Sequence, residues 1–222
     1  FFSRLANEEA KHKNTFGKSG YLFFENLIQS SINELYKTKF DVHLSFSNNQ
    51  IGENFGEKIT NEISKFFSIG YQNVIVVGND CIQLNKQDII LANELLQKNK
   101  GILLGPNFRG GAYLIGVSKE SFNYQKFIQL KWQSNSLMAS FKNYAIQYNL
   151  SIKYLKVKKD INYQKDFWQI INQFKSSNNL KKLIRLFQIK LNYSTKIIFN
   201  YSLKANFQLY TFRAPPFLVF NL

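Results

Sequence analysis

The segment Asn73-Val74-Ile75-Val76-Val77 constrains this chain more than any other. It is apolar and β-branched without alternation, the pattern of a strand covered on both faces, as in a parallel sheet. It stops at Gly78-Asn79-Asp80, a turn signal that delivers a carboxylate. Further strand patterns lie at Phe40–Phe46, Gly101–Leu104, Ala112–Val117 and Ser151–Val157. Helical spacing marks Ser19–Leu35, Ile59–Phe67, Lys86–Gln97, Ser134–Gln147 and Tyr163–Phe174. Strands alternating with helices predict an α/β fold around a mainly parallel sheet. Phe1-Phe2-Ser3 reads as the end of a first strand that begins before Phe1, and Asn7–Asn14 reads as a charged loop.

The expected organisation is one catalytic domain over residues 1–175 and an extension over 176–222 packed on it. The 45% hydrophobic content excludes a disordered chain. No apolar run approaches the roughly 20 residues of a membrane span. A single cysteine, Cys81, excludes a disulfide framework and a multi-cysteine zinc site. No leader pattern follows Phe1-Phe2-Ser3-Arg4, so the expected location is cytoplasmic. The formal charge is +15, from 29 Lys+Arg against 14 Asp+Glu. The lysines are dispersed, no nucleic-acid-binding motif accompanies them, and residues with A/T-rich codons dominate. No specific nucleic acid partner is therefore expected.

Two glycine-containing segments carry the chemistry. Asp80 stands at the carboxyl end of a buried strand, where open α/β sheets bind their ligands, and a carboxylate there suits Mg²⁺ or Mn²⁺ against a diphosphate. Gly110-Gly111 lets backbone approach a ligand without a Cβ in the way. The residues alone leave a second reading open at each place: an aspartate that only caps a turn or helix, and a Gly-Gly that is only a turn.

Gly78-Asn79-Asp80-Cys81-Ile82-Gln83-Leu84 resembles the Gly-x-Asp-Cys-Pro-x-Leu segment of the DUF2064 family. Gly105-Pro106 followed by Gly110-Gly111-Ala112-Tyr113-Leu114-Ile115-Gly116 resembles that family's Gly-Pro…Gly-Gly-Tyr-Tyr-Leu-Ile-Gly, in the same order and with one helix between. Weaker echoes lie at Leu130–Ser134 and Lys159–Asp166. The resemblance implies a GT-A, nucleotide-diphospho-sugar-transferase-like three-layer α/β/α sandwich, distantly related to the molybdenum-cofactor and phospholactate nucleotidyltransferases. It implies a metal-dependent transferase acting on a nucleotide sugar and a small-molecule acceptor. The alternatives are a nucleotidyltransferase using an NTP and a degenerate nucleotide-binding protein without catalysis.

On this resemblance Asp80 and Asp160 are the expected catalytic residues, and Asp80, Asp160 and Asn162 the expected ligands of Mg²⁺ or Mn²⁺. Arg4, Lys11 and Lys13 are expected on phosphates, with Gly78, Asn79, Gly110, Gly111 and Tyr113 against the donor. The chain departs from the family pattern in several places. Ser3-Arg4 and Lys11-His12-Lys13 replace a glycine-containing loop and its Lys-Thr-Arg triplet. Ile82 replaces a proline, Arg109 an aspartate before Gly-Gly, and Asn162 a second late aspartate. Two carboxylates are lost and a cation is gained, which predicts weaker metal binding or a different donor. Cys81 is expected to pack rather than react, and Trp132 and Tyr113 either stack on a ligand or fill the core.

Overall fold

The computed structural model describes residues 1–14, 20–163, 165, 166 and 169. The helix expected over Tyr163–Phe174 lies largely outside these residues, and the extension over 176–222 lies wholly outside them. Strands are β1 (Phe2–Ser3), β2 (Ser45–Phe46), β3 (Asn73–Val77), β4 (Ile102–Pro106), β5 (Ala112–Ser118) and β6 (Ile152–Tyr154). Helices are α1 (Ala6–Lys13), α2 (Gly20–Tyr36), α3 (Phe55–Ser68), α4 (Lys86–Asn99), α5 (Tyr124–Ile128) and α6 (Leu137–Gln147).

A four-stranded sheet has the order β3-β5-β4-β6, and β1 pairs with β2 in parallel. Strands β3, β4 and β6 run in one direction, while β5 runs against both of its neighbours. The direction of the sheet is thus mainly parallel, although the strand at its centre is not. The local cause is the Asn107–Gly111 turn, which is too short for a crossover and folds β5 back on β4 as a hairpin.

Both faces of the sheet are covered, which accounts for the unalternating sequence of β3. Val77 and Leu103 face one core, built with Phe23, Leu27 and Ile32 of α2 and Ile89 and Leu96 of α4. Val76, Ile102, Leu104 and Ile115 face the other, built with Ile59 and Ile63 of α3, Phe127 of α5 and Phe141 of α6. Phe1 belongs to the first core and Phe2 to the second, so β1 lies in the same middle layer. These are the three layers of an α/β/α sandwich.

Trp132 is part of this packing. Its ring lies 5.7 Å from that of Phe141, its Nε1 donates to Phe127 O at 2.7 Å, and Gly56 gives its indole room. Asn54 caps α3 by accepting from Glu57 N. Asn85 and Asp88 form a reciprocal capping box on α4.

The segment Asn7–Asn14, expected as a loop, is instead the helix α1. Its alanines, glutamates and lysines are good helix formers. Glu8 and Glu9 fall in the first turn and Lys11, His12 and Lys13 in the last, the arrangement that complements the helix dipole. The absence of an apolar stripe, the usual mark of a surface helix, hides it from periodicity. Asn14 ends it in the left-handed conformation at φ 42°. Strand assignment is also shorter than expected over Phe40–Phe46, where only Ser45–Phe46 pairs, and over Ser151–Val157, where only Ile152–Tyr154 pairs.

Leu104 is fully buried at the middle of β4. Leu104→Ala should cost about 2–5 kcal/mol by lost transfer energy plus the cavity left behind, read as a lowered urea midpoint. A loss well under 1 kcal/mol would mean that this strand is not at the core.

Candidate functional site

Asp80 stands three residues beyond β3, with its side chain 3% exposed. The chain that returns after β6 lies against it, because Ile161 N donates to Asp80 O at 2.9 Å. Lys158 fastens the same returning segment. Its Nζ donates to Gln83 O at 2.9 Å and pairs with Asp88, the capping residue of α4. Asp160, 4% exposed, is thereby carried to the Asp80 end of the sheet. The two expected catalytic residues, 80 positions apart in sequence, are joined by parallel β4–β6 pairing and its continuation at Asn107–Lys158.

The third side of the site is α1. Lys13 Nζ lies 2.7 Å from Asp80 Oδ1 and 3.1 Å from Glu9 Oε1, and it donates to Ile161 O at 2.7 Å. Arg4 Nη1 lies 3.7 Å from Glu9 Oε2, with the Arg4 side chain 26% exposed. Lys13 was expected on a phosphate; here it ties α1 to Asp80 and to the segment after β6. Lys11, two positions along the helix, faces elsewhere and is exposed, since residues at i and i+2 do not share a helix face.

The hairpin between β4 and β5 supplies the fourth side. Asn107 Oδ1 accepts from Arg109 N at 2.9 Å and Gly111 N at 2.8 Å, and Asn107 Nδ2 donates to Asp160 Oδ2. Gly110 takes φ +83°, and a Cβ there would stand 2.2 Å from Asn135 O. Both glycines thus serve the turn, and the Gly111 amide, expected to face a ligand, is taken up by Asn107. The cation gained at Arg109 is likewise occupied. Its Nη2 lies 2.8 Å from Asp166 Oδ1, and its guanidinium lies over the Tyr163 ring.

Asp166 also accepts from Asn162 N at 3.1 Å and Tyr163 N at 2.9 Å, which places buried Asn162 beside the cluster. Tyr113 is buried in the core. Its hydroxyl donates to Lys156 O at 2.9 Å, and its ring packs over Gly105. Gly78 N donates to Tyr113 O as β3 leaves the sheet.

Burial dominates the electrostatics. It pushes Asp80 up to about 7, against the pull of Lys13 and with Glu9 and Asp160 adding to the rise. It pushes Asp160 up to about 6, opposed by the Asn107 hydrogen bond and the charges of Lys13 and Arg109. Burial would lower Lys13, but Asp80 and Glu9 together hold it above its ordinary value. Burial also raises Cys81, 2% exposed, so its thiol stays protonated and inert.

The oxygens present suit a hard divalent cation. Among the described residues, Asp80 Oδ2, Asp160 Oδ1 and both side-chain polar atoms of fully buried Asn79 have no hydrogen-bond partner. Buried polar atoms left in that state call for a ligand or water. No group of three or more His, Cys, Asp or Glu side chains is placed to hold a metal among the described residues. Mg²⁺ does not require one, because it is ordinarily held by one or two carboxylates together with substrate phosphates. A cavity of about 450 Å³, lined by residues such as Phe40, His43 and Val74, is separate from this cluster. Neither Asp80, Asp160 nor Lys13 borders it.

Sequence reasoning missed Glu9 and Asn107. Glu9 lay in the supposed loop, and its spacing of four from Lys13 was the available signal. Asn107 lay in plain view between Pro106 and Gly110, where asparagine often holds a turn through its side chain.

The three-layer α/β sandwich, with Asp80 and Asp160 beyond the carboxyl ends of β3 and β6, has the nucleotide-diphospho-sugar-transferase-like fold. The solved structure of a "putative nucleotide-diphospho-sugar transferase" from Desulfovibrio desulfuricans G20 has this fold. It aligns with a TM-score of 0.74 at 20% identity over 86% of this chain and 95% of that one. Residues 21–134 match DUF2064, "Uncharacterized protein conserved in bacteria", and the chain belongs to that family. No curated protein matches it. Among the described residues no helix is long and apolar enough to cross a membrane.

A buried carboxylate whose pKa is raised on folding stabilises the protein below its unfolded value and loses that contribution as pH rises through the folded value. For Asp80, faced by Lys13, Glu9 and Asp160, the window runs from about 4 to about 7. The stability of Asp80→Asn relative to the native chain should therefore climb across that window in thermal melts. A difference that stays flat or falls would contradict a raised Asp80.

Proposed function

We propose that this chain is a transferase that takes a group from a nucleotide-activated donor, with a nucleotide sugar as the donor and Mg²⁺ or Mn²⁺ at Asp80 and Asp160. The observation that carries the reading is the set of unpartnered buried oxygens of Asp80, Asp160 and Asn79 beyond β3. In sheets of this kind ligands bind outside the carboxyl ends of the strands. The DUF2064 membership and the fold shared with the transferase-like protein support it.

When bound, the cation would neutralise charge on the departing diphosphate. Asp80 and Asp160 would hold it, with Asn162 at the edge of the set. Arg4, partly exposed and held beside the cluster through Glu9, would meet donor phosphate. Asp160 has one oxygen fixed by Asn107 and the other buried without a hydrogen-bond partner, so that oxygen would serve the cation and the first would lie towards an acceptor hydroxyl. As a carboxylate beside that hydroxyl it would also receive the proton that the hydroxyl loses. The acceptor oxygen bonds to the transferred group as the donor's bond to the diphosphate breaks, the diphosphate leaving with the electron pair.

The test is a thermal-shift screen of nucleoside di- and triphosphates and nucleotide sugars, with and without Mg²⁺ or Mn²⁺, on the native chain and Asp80→Ala. A ligand at about 100 times its Kd should stabilise by roughly 2.7 kcal/mol, a shift of a few degrees. The expected result is a metal-dependent shift with a nucleotide sugar, lost in Asp80→Ala, and release of nucleoside diphosphate on turnover. Pyrophosphate release from an NTP would reassign the reaction to nucleotidyl transfer. Binding without turnover would leave a nucleotide-binding protein. Full activity in Asp80→Ala would remove Asp80 from the site.

A further inference from the structure

An ammonium group has three N–H donors and no acceptor. Lys13 has three acceptors around it: Asp80 Oδ1 at 2.7 Å, Glu9 Oε1 at 3.1 Å and Ile161 O at 2.7 Å. The Lys13, Glu9 and Asp80 side chains are 4%, 0% and 3% exposed, so this arrangement is set in the protein interior. Lys13 can reach a donor phosphate only by giving up one of these bonds. A divalent cation that takes the unpartnered Asp80 Oδ2 would stand against the unit positive charge already at Oδ1, and the repulsion between the two favours release of the ammonium.

The two requirements are complementary. Of the three bonds, the one to Glu9 is within α1 itself and the one to Ile161 is to a neutral carbonyl. The bond to Asp80 is the one that both incoming ligands contest.

We propose that Lys13 is the resident counter-cation of Asp80, displaced when a divalent cation binds there and then passed to the donor's phosphate. This inference rests on the donor-site reading above. It makes the two ligands assist each other: the cation that takes Asp80 frees Lys13, and the phosphate that takes Lys13 frees Asp80. Such coupling is reciprocal by thermodynamic necessity.

Glu9 keeps the exchange local. It is fully buried and holds Lys13 at i,i+4 while also drawing Arg4 Nη1 to 3.7 Å. The displaced ammonium would stay tethered to Glu9, the carboxylate that Arg4 also meets. Glu9 is in this sense a positioning residue for both cations.

The probes are Mn²⁺ alone, followed by electron paramagnetic resonance of the free aquo ion, and inorganic pyrophosphate alone, followed by calorimetry. Lys13→Met should bind Mn²⁺ tighter than the native chain, on the order of tenfold, and bind pyrophosphate more weakly. A residue that merely held the fold would not move the two affinities in opposite directions. In the native chain, the Lys13 ammonium resonance, assigned by its absence in Lys13→Arg, should shift on adding Mg²⁺ and again on adding pyrophosphate. That measurement decides the matter even where Lys13→Met does not fold. Unchanged or weaker Mn²⁺ binding by folded Lys13→Met overturns the counter-cation role and leaves the donor-site reading in place, as does an ammonium signal that ignores bound Mg²⁺. A native chain that binds neither Mn²⁺ nor pyrophosphate overturns both.

Discussion

The buried ammonium of Lys13 is the contact on which the candidate site depends. It gathers a helix from the start of the chain, the turn after β3 and a segment about 150 residues away, through Glu9, Asp80 and Ile161 O. A charge removed from water is tolerated only with close partners of opposite sign and satisfied donors. Here each donor has an acceptor. Burial disfavours the charged form of both Asp80 and Asp160, so each carboxylate gains from a cation brought close to it.

The sheet explains why those carboxylates meet. Parallel strands place equivalent ends side by side, so whatever follows β3 and β6 emerges at the same edge. Asp80 follows one and Asp160 the other. The intervening antiparallel β5 does not disturb this arrangement. It returns the chain across the sheet and leaves the Asn107–Gly111 turn at the same end, against Asp160. Topology brings the groups together, and Lys158, Asn107 and Ile161 N fix their spacing.

The sandwich was legible because its signals are repeated. The run at Asn73–Val77, the apolar faces of α2, α3 and α4, and the Gly-Gly hairpin each point to the same layers. Motif order singled out Asp80 and Asp160, which the structure brings to the same end of the sheet. Helix α1 was not, because its apolar content is too low to leave a stripe and its evidence is in charge order and propensity. Reading it as a loop made Arg4, Lys11 and Lys13 look equivalent. The helix separates Lys11, facing outward, from Lys13, facing inward, and Arg4, just before it, is held through Glu9. For Tyr113 the sequence left stacking and core packing open, because an aromatic beside a glycine motif suits either, and the packing of its ring over Gly105 on the neighbouring strand places it in the core.

The Asn107 amide has one feature whose consequence reaches beyond the turn it closes. Its oxygen end receives two backbone N–H groups and its nitrogen end serves Asp160, so both halves of an unsymmetrical group are in use. The near-identical aspartate could satisfy the backbone half and would set a third carboxylate against Asp160 in place of a donor. The hairpin would keep its shape while the neighbouring carboxylate lost its anchor. One atom at the tip of a turn therefore separates the folding of this protein from the readiness of its chemistry.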